Sequence, residues 1–258
     1  MILIGILTSY NLAIRRYELH SPKIGAPIRL LLITDLHSCY YGKNQTTLVK
    51  AIEAQRPDAL MFCGDIADDK IPIDNTRALL EAVADRYPCF YVTGNHEFWG
   101  KEVEAVKRLF NSYGVTVLEG EHAFLSIRGE EIIVCGVDDP ESGKFSAQLA
   151  SAAEGTEIGP YSVLLSHRPE LFAQYAQYHF DLVLAGHAHG GLWRIPGLLN
   201  GLVAPNQGFF PKYTGGQYSE QSSIMIVSRG LARESTLIPR MFNRPELVVV
   251  DLRPPAQN

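Results

Sequence analysis

The apolar residues of this 258-residue chain gather in short continuous runs rather than alternating with polar ones. Residues 29–33, 59–63, 89–92, 161–165 and 182–185 are such runs, the pattern of strands buried on both faces. Between them the periodicity changes. Helices are predicted over residues 46–56, stopped by Pro57, over 74–87, capped by Asp74 or Asn75, and over 101–113, ended by Gly114. Short strands follow at 115–118, 123–127 and 131–137, then helices near 146–154 and 169–178, and strands at 222–228 and 246–252. The first half alternates strand and helix, and the second half is richer in strands. That order predicts an α/β fold, a four-layer α/β/β/α sandwich of two mixed sheets flanked by helices.

Each of the five runs gives way to a polar patch. In order these are Asp35-Leu36-His37, Gly64-Asp65, Gly94-Asn95-His96-Glu97, Ser166-His167 and Gly186-His187-Ala188-His189-Gly190. Strand ends in an open α/β sheet line up along one edge, so these side chains are expected to converge on one crevice. The two-residue spacing of Asp35 with His37, and of His187 with His189, puts each pair on one side of an extended chain. A carboxylate directly after a buried strand is costly without a partner, and a metal ion is one. The blander readings stay open at this point: polar loop histidines, turn-forming Asp35, Asp65 and Asn95, and a His167 that merely opens a helix.

The donor types narrow the metal. Imidazole, carboxylate and amide oxygen together suit Mn, Fe or Zn better than Ca or Mg, and no Cys-x-x-Cys pair marks a structural zinc site. The seven candidates (Asp35, His37, Asp65, Asn95, His167, His187 and His189) are too many for one tetrahedral ion. They are about right for two divalent ions sharing a carboxylate, an arrangement that clamps the attacking and leaving oxygens of a displacement at phosphorus.

Composition trims the alternatives. Apolar residues at 46% supply a full core, and a charged fraction of 20% argues against disorder. The 23 basic and 28 acidic side chains leave a net charge of −5 with no basic block, so no dedicated nucleic-acid partner is expected. The four cysteines lie singly, as small core residues do, which favours a reducing, cytoplasmic setting.

The five patches, in this order and at strand ends, resemble the calcineurin-like metallophosphoesterase superfamily, whose pattern is D-x-H, G-D, G-N-H-[DE], H and G-H-x-H. The match runs from about Arg29 to Gly191. Ser228-Arg229-Gly230-Leu231 and Asn243-Arg244-Pro245-Glu246 further resemble a bacterial phosphodiesterase-like branch, many of whose members are membrane-associated. The resemblance implies one metal on Asp35, His37, Asp65 and His189, a second on Asp65, Asn95, His167 and His187, and a bridging Asp65. His96 would stand beside the metals without binding one. The implied reaction is hydrolysis of a phosphate ester, a phosphodiester or a diphosphate, by a hydroxide held between the metals, with His96 protonating the leaving oxygen. One departure is visible: Leu192 stands where many relatives carry Gln. A catalytically silent metal-binding scaffold and a metal-dependent nuclease are the rival readings. The first needs a missing ligand, and the second needs a basic groove.

Outside the motifs, residues 1–27 read as an apolar start and lead-in to a domain spanning 28–258. The run at Met1 to Leu7 is well short of the roughly 20 residues that span a bilayer, which leaves a first strand, a surface segment, a peripheral membrane contact or the stump of an anchor. Residues 192–213 carry Trp193, Ile195, Leu198, Phe209 and Phe210 broken by prolines, and leave directly from His189. They read either as extra core or as an apolar wall for an amphipathic, lipid-like ester. Arg168 is a candidate contact for a substrate phosphate, and Glu97 a supporting or helix-start residue. Asp68, Asp69, Asp138 and Asp139 are read as turn carboxylates without chemistry, and His20, His122 and His179 as ordinary loop histidines.

Overall fold

The computed structural model describes residues 11–156, 159–233 and 239–255. The first sheet is built around three parallel strands, β2 (Ile28–Ile33), β3 (Ala59–Cys63) and β4 (Cys89–Val92), with β5 (Thr116–Val117) at one edge. Beyond β2 lie β14 (Glu246–Arg253), antiparallel to it, and then β1 (Ala13–His20), parallel to β14. The second sheet runs β12 (Gly216–Glu220), β13 (Ser223–Val227), β9 (Leu182–Ala185), β8 (Tyr161–Leu165), β7 (Glu130–Gly136), β6 (His122–Ile127), antiparallel only at its two outer pairs. The expected four layers are present. One face of each sheet packs on the other through Leu30, Leu32, Met61 and Val92 against Val134, Val163, Leu165 and Leu184.

The outer faces are covered by helices. Leu31, Phe62 and Tyr91 pack under α1 (Thr46–Gln55), α2 (Asp74–Val83) and α4 (Val103–Ser112), with Phe110 stacked on Tyr91. Cys135, Leu164 and Val183 pack under α5 (Phe145–Ala153) and α6 (Phe172–Tyr175). Burial on both faces explains why β2, β3, β4, β8 and β9 read as continuous apolar runs. The four cysteines are buried, as core residues.

Three differences from the expected elements stand out. Strand β1 precedes residue 28, so the lead-in contributes an edge strand; its exposed alternate residues give it no apolar run. The helix expected over 169–178 is one α turn, α6, between two 3-10 turns at Pro169–Leu171 and Ala176–Tyr178. The Tyr175 hydroxyl donates back to Arg168 O at 2.7 Å, which holds this turn against its own strand end. Residues 192–213 include a small hairpin of β10 (Val203–Ala204) and β11 (Gly208–Phe209). Only Ala204 and Tyr213 join the second sheet's core from this segment, and Leu198, Phe209 and Phe210 are 83%, 72% and 72% exposed. The segment is therefore mostly surface, not extra core. The apolar start at Met1 to Leu7 lies outside the described residues.

Candidate metal centre

Asp35 and Asp65 each sit two residues past a strand of the first sheet, and His167 and His187 two past a strand of the second. Asn95 opens α3 (Asn95–Trp99), just beyond β4. All are parallel strands, so the C-terminal edges of both sheets meet at one place. The backbone bends sharply there: Asp35, His37, Asp65, His187 and His189 all have positive φ, between 46° and 65°. Such conformations are costly for side chains with a Cβ and recur at functional sites, where the surroundings impose them. Close approach also demands glycine: a Cβ on Gly186 would lie 2.0 Å from Thr34 Oγ1 and 2.6 Å from Asp35 Oδ2.

Three sets of donors result, two of them fully buried and a third, His37 with Asp68 and His96, at the rim. Asp35, His37, Asp65 and His189 form one buried group with ligand atoms within 4.8 Å of one another; Asp65, His167 and His187 form another. Asp65 belongs to both. His167 Nε2 stands 3.1 Å from Asp65 Oδ2, His37 Nε2 3.7 Å from the same oxygen, and His189 Nε2 3.5 Å from Asp35 Oδ1.

The residues present fit divalent cations. The buried His37 Nε2, Asp65 Oδ2, Asn95 Oδ1 and His167 Nε2 lack an aligned hydrogen-bond partner among the described residues. Buried polar atoms are normally satisfied, and an unsatisfied one costs about 1–3 kcal/mol, so four in one spot mark a ligand site. Their other ends are held. His37 Nδ1 donates to Asp68 Oδ2 at 2.9 Å and His167 Nδ1 to Cys63 O at 2.9 Å, which leaves each Nε2 lone pair free. Glu97 accepts from the backbone N–H of Asp65, Ile66, Ala67 and Gly94 at 2.7–3.1 Å, fixing the turn that presents Asp65.

The electrostatics of the bare cluster conflict. Burial pushes Asp35 up. It pushes Asp65 up as well, but the His167, His37 and His96 imidazoles outweigh it and hold that carboxyl well below its usual range. Burial would lower His167, yet Asp65 and Asp35 raise it to about 10. Burial and the neighbouring cationic His167 and Arg168 drive His187 far down; burial, His37 and Arg240 do the same to His189. Glu97 rises to about 7, through burial and the Asp65 charge against its four N–H donors. Ligated cations would resolve the conflict by supplying positive charge to both carboxylates.

His96 is brought to the rim, in the half-buried set with His37 and Asp68 and outside the two buried ones. Its backbone N–H donates to Asp65 Oδ1 at 2.9 Å, its ring packs edge-on to His37 at 4.4 Å, and Nδ1 donates to Asp69 Oδ1 at 2.7 Å. Asp68 and Asp69, read from sequence as turn carboxylates without chemistry, therefore orient His37 and His96; adjacency to Gly64-Asp65 was the signal available. Asp139 is likewise no idle turn: it forks onto Arg168, with Nε at 2.5 Å and Nη2 at 2.8 Å. Arg168 Nη1 then donates to Asn206 Oδ1 at 2.7 Å. Three of its N–H groups are thus given to Asp139 and Asn206. Asn206 itself, 2.8 Å from His187 Nε2, went unnoticed in the sequence because it lies 17 residues beyond the last motif. An open cleft of about 940 Å³, lined by Lys144, Phe145, Arg168 and Asn206, adjoins the His187 side; one of about 410 Å³ adjoins His96.

Two sheets meeting at their C-terminal edges around this donor set define a metal-dependent phosphoester hydrolase. The chain belongs to the calcineurin-like phosphoesterase family, whose model matches residues 28–191. It is 28% identical over 234 residues to the uncharacterized metallophosphoesterase YkuE of Bacillus subtilis, covering 87% of this chain and 79% of that protein. It is 25% identical over 234 residues to the phosphodiesterase YaeI of Escherichia coli, covering 88% and 83%. Among solved structures, the NAD nucleotidase of Haemophilus influenzae superposes with a TM-score of 0.56 at 15% identity; the match covers 81% of this chain but only 46% of that one. Among the described residues no helix is long and apolar enough to cross a membrane.

Proposed function

We propose that the chain is a two-metal hydrolase of phosphodiesters or diphosphates, with amphipathic esters as its substrates. One ion would be held by Asp35, His37, Asp65 and His189, the other by Asp65, Asn95, His167 and His187, with Asp65 shared. The observation that carries the reading is the set of four buried, unsatisfied donor atoms around Asp65. When bound, such a pair of ions supplies Lewis-acid activation of water and neutralises charge on the phosphoryl oxygens. With its Nδ1–H committed to Asp69, His96 as the imidazolium would give its Nε2 proton to the leaving oxygen and return to the neutral Nδ1–H form. Asn206 and Arg168 form the wall of the larger cleft and position His187. The exposed Phe209 and Phe210, on the segment that follows His189, support an apolar substrate portion.

Metal analysis of protein purified without chelator is expected to approach two Mn, Fe or Zn ions per chain, and Asp65→Ala to lose both together. A variant that still holds two ions tightly overturns the shared role. In the same preparation His96→Gln keeps its metals while turnover falls by about 10²–10⁴ on an ester with a poor leaving group. Loss of metal along with activity would make His96 structural instead.

A further inference from the structure

Away from the metal donors, behind the turn that carries His189, two small cavities of about 420 and 180 Å³ share Arg15, Arg194 and Arg229 in their walls. Arg16 also lines the smaller one, and among the described residues the sole carboxylate lining either cavity is Glu246. That carboxylate is already taken. Arg229 donates to it through Nε at 2.6 Å and through Nη2, and Arg15 stands 3.7 Å away. Arg16 turns to Gln55 Oε1 at 2.5 Å. Arg194 is left with neutral acceptors, Gly190 O at 3.2 Å and Asn200 Oδ1, and no described carboxylate lies within ion-pair reach of it. Burial and the Arg229 charge push its pKa down, and the Glu246 charge offsets only part of this. Three guanidiniums around one carboxylate, with no ion pair to the half-buried Arg194 among the described residues, make a site for an anion.

The rim of the larger cavity says what kind of anion. Ile195 and Leu198 line it and are 43% and 83% exposed. A free, fully hydrated phosphate gains nothing from an apolar lip, whereas a lipid places acyl chain beside its headgroup. Arg15 also follows closely on the apolar sequence of residues 1–7. Clustered arginines with apolar neighbours match the surface of an anionic leaflet. We propose that this face docks on a membrane, with the Arg15–Arg194–Arg229 cluster holding an anionic lipid headgroup and Leu198 entering the acyl boundary. The proposal concerns where the protein sits rather than what it cleaves, so it goes beyond the hydrolase reading.

Flotation of the whole chain with vesicles tests it. Binding is expected to equimolar phosphatidylcholine–phosphatidylglycerol vesicles and not to phosphatidylcholine alone, weakening as salt is raised. Arg194→Gln should weaken it about fivefold, the weight of one arginine at an anionic surface. Leu198→Ser, at a position with little packing to lose, should weaken it while leaving the salt dependence. Both variants should hydrolyse a soluble nitrophenyl phosphodiester as the parent does, which separates this test from that of the metal centre. Equal binding to neutral and anionic vesicles, or full binding by Arg194→Gln, overturns the proposal. It also fails if excess inorganic phosphate raises the Tm of the parent but not of Arg194→Gln while vesicles stay unbound; the site then takes a free anion.

Discussion

His187 shows how a single imidazole is prepared for a metal. Its Nε2 faces Asn206 Oδ1 at 2.8 Å and Arg168 Nη1 at 3.1 Å. A cation would not share the nitrogen that already abuts a guanidinium, so in the proposed centre Nδ1 would be the ligating atom and Nε2 would carry the proton. Asn206 accepts that proton, and its amide is held the right way round because Arg168 donates to the same oxygen. Removing such a support typically costs 10- to 100-fold in metal affinity. Asn206→Leu is therefore expected to weaken one of the two ions by about that factor in chelator competition, and Asn206→Asp, which keeps an acceptor, to recover most of it. Equal affinities in parent and Asn206→Leu would mean that the contact is incidental. Every proposed ligand lies in a motif, because ligand chemistry leaves few residue types to choose from. The supports were not legible in the sequence: Asp68, Asp69, Asp139 and Asn206 are common turn residues whose partners are chosen by the fold.

At the scale of elements, the apolar runs announced the buried strands, while strand β1 and the broken turn at residues 169–178 escaped notice. Edge strands and 3-10 turns lack a continuous apolar signature, so only pairing and tertiary contacts define them. The two sheets are also joined by a device that periodicity cannot reveal. Arg128, in the turn between β6 and β7, forks onto Asp58, with Nη1 to Oδ1 at 2.5 Å and Nη2 to Oδ2 at 2.8 Å. Asp58 precedes β3 of the other sheet and also accepts from Arg29 N–H at 2.7 Å. Burial works against the Asp58 charge, but the bonds from Arg128 and Arg29 prevail and hold its carboxyl below the usual range. A lowered folded-state value means that the stabilisation is whole above the unfolded value, about pH 4. It is lost as pH falls through the lower folded value. Because Arg128 is largely exposed, solvent screening limits the pair to about 0.5–1 kcal/mol. Asp58→Asn should lower stability by about that amount at neutral pH, and the gap from the parent should close on acidification. A gap that persists at low pH would place the cost in the Arg29 backbone contact instead.

For the whole molecule, the decisive fact is that both sheets present their C-terminal edges to one crevice, so the chain must commit its connecting segments there. Residues 192–213 leave that crevice directly and keep Phe209 and Phe210 72% exposed, although Ala204 and Tyr213 anchor the same segment in the second core. A protein seldom holds large aromatic side chains in water on an anchored segment beside its reaction centre unless an apolar partner meets them. An acyl or prenyl portion of the substrate is such a partner. Each methylene fully buried contributes about 0.8 kcal/mol, close to fourfold in affinity. Below the micelle concentration, lengthening the chain of a phosphodiester substrate should therefore raise kcat/KM by up to about fourfold per methylene until the aromatic surface is covered. The double change Phe209→Ser and Phe210→Ser should flatten that series while leaving the shortest ester and the metal content as they were, since neither ring reaches a donor atom. A parent enzyme that cleaves short and long esters alike would remove the apolar portion from the substrate and leave the hydrolase itself untouched. The chain-length series thus judges the substrate class separately from the two-metal centre.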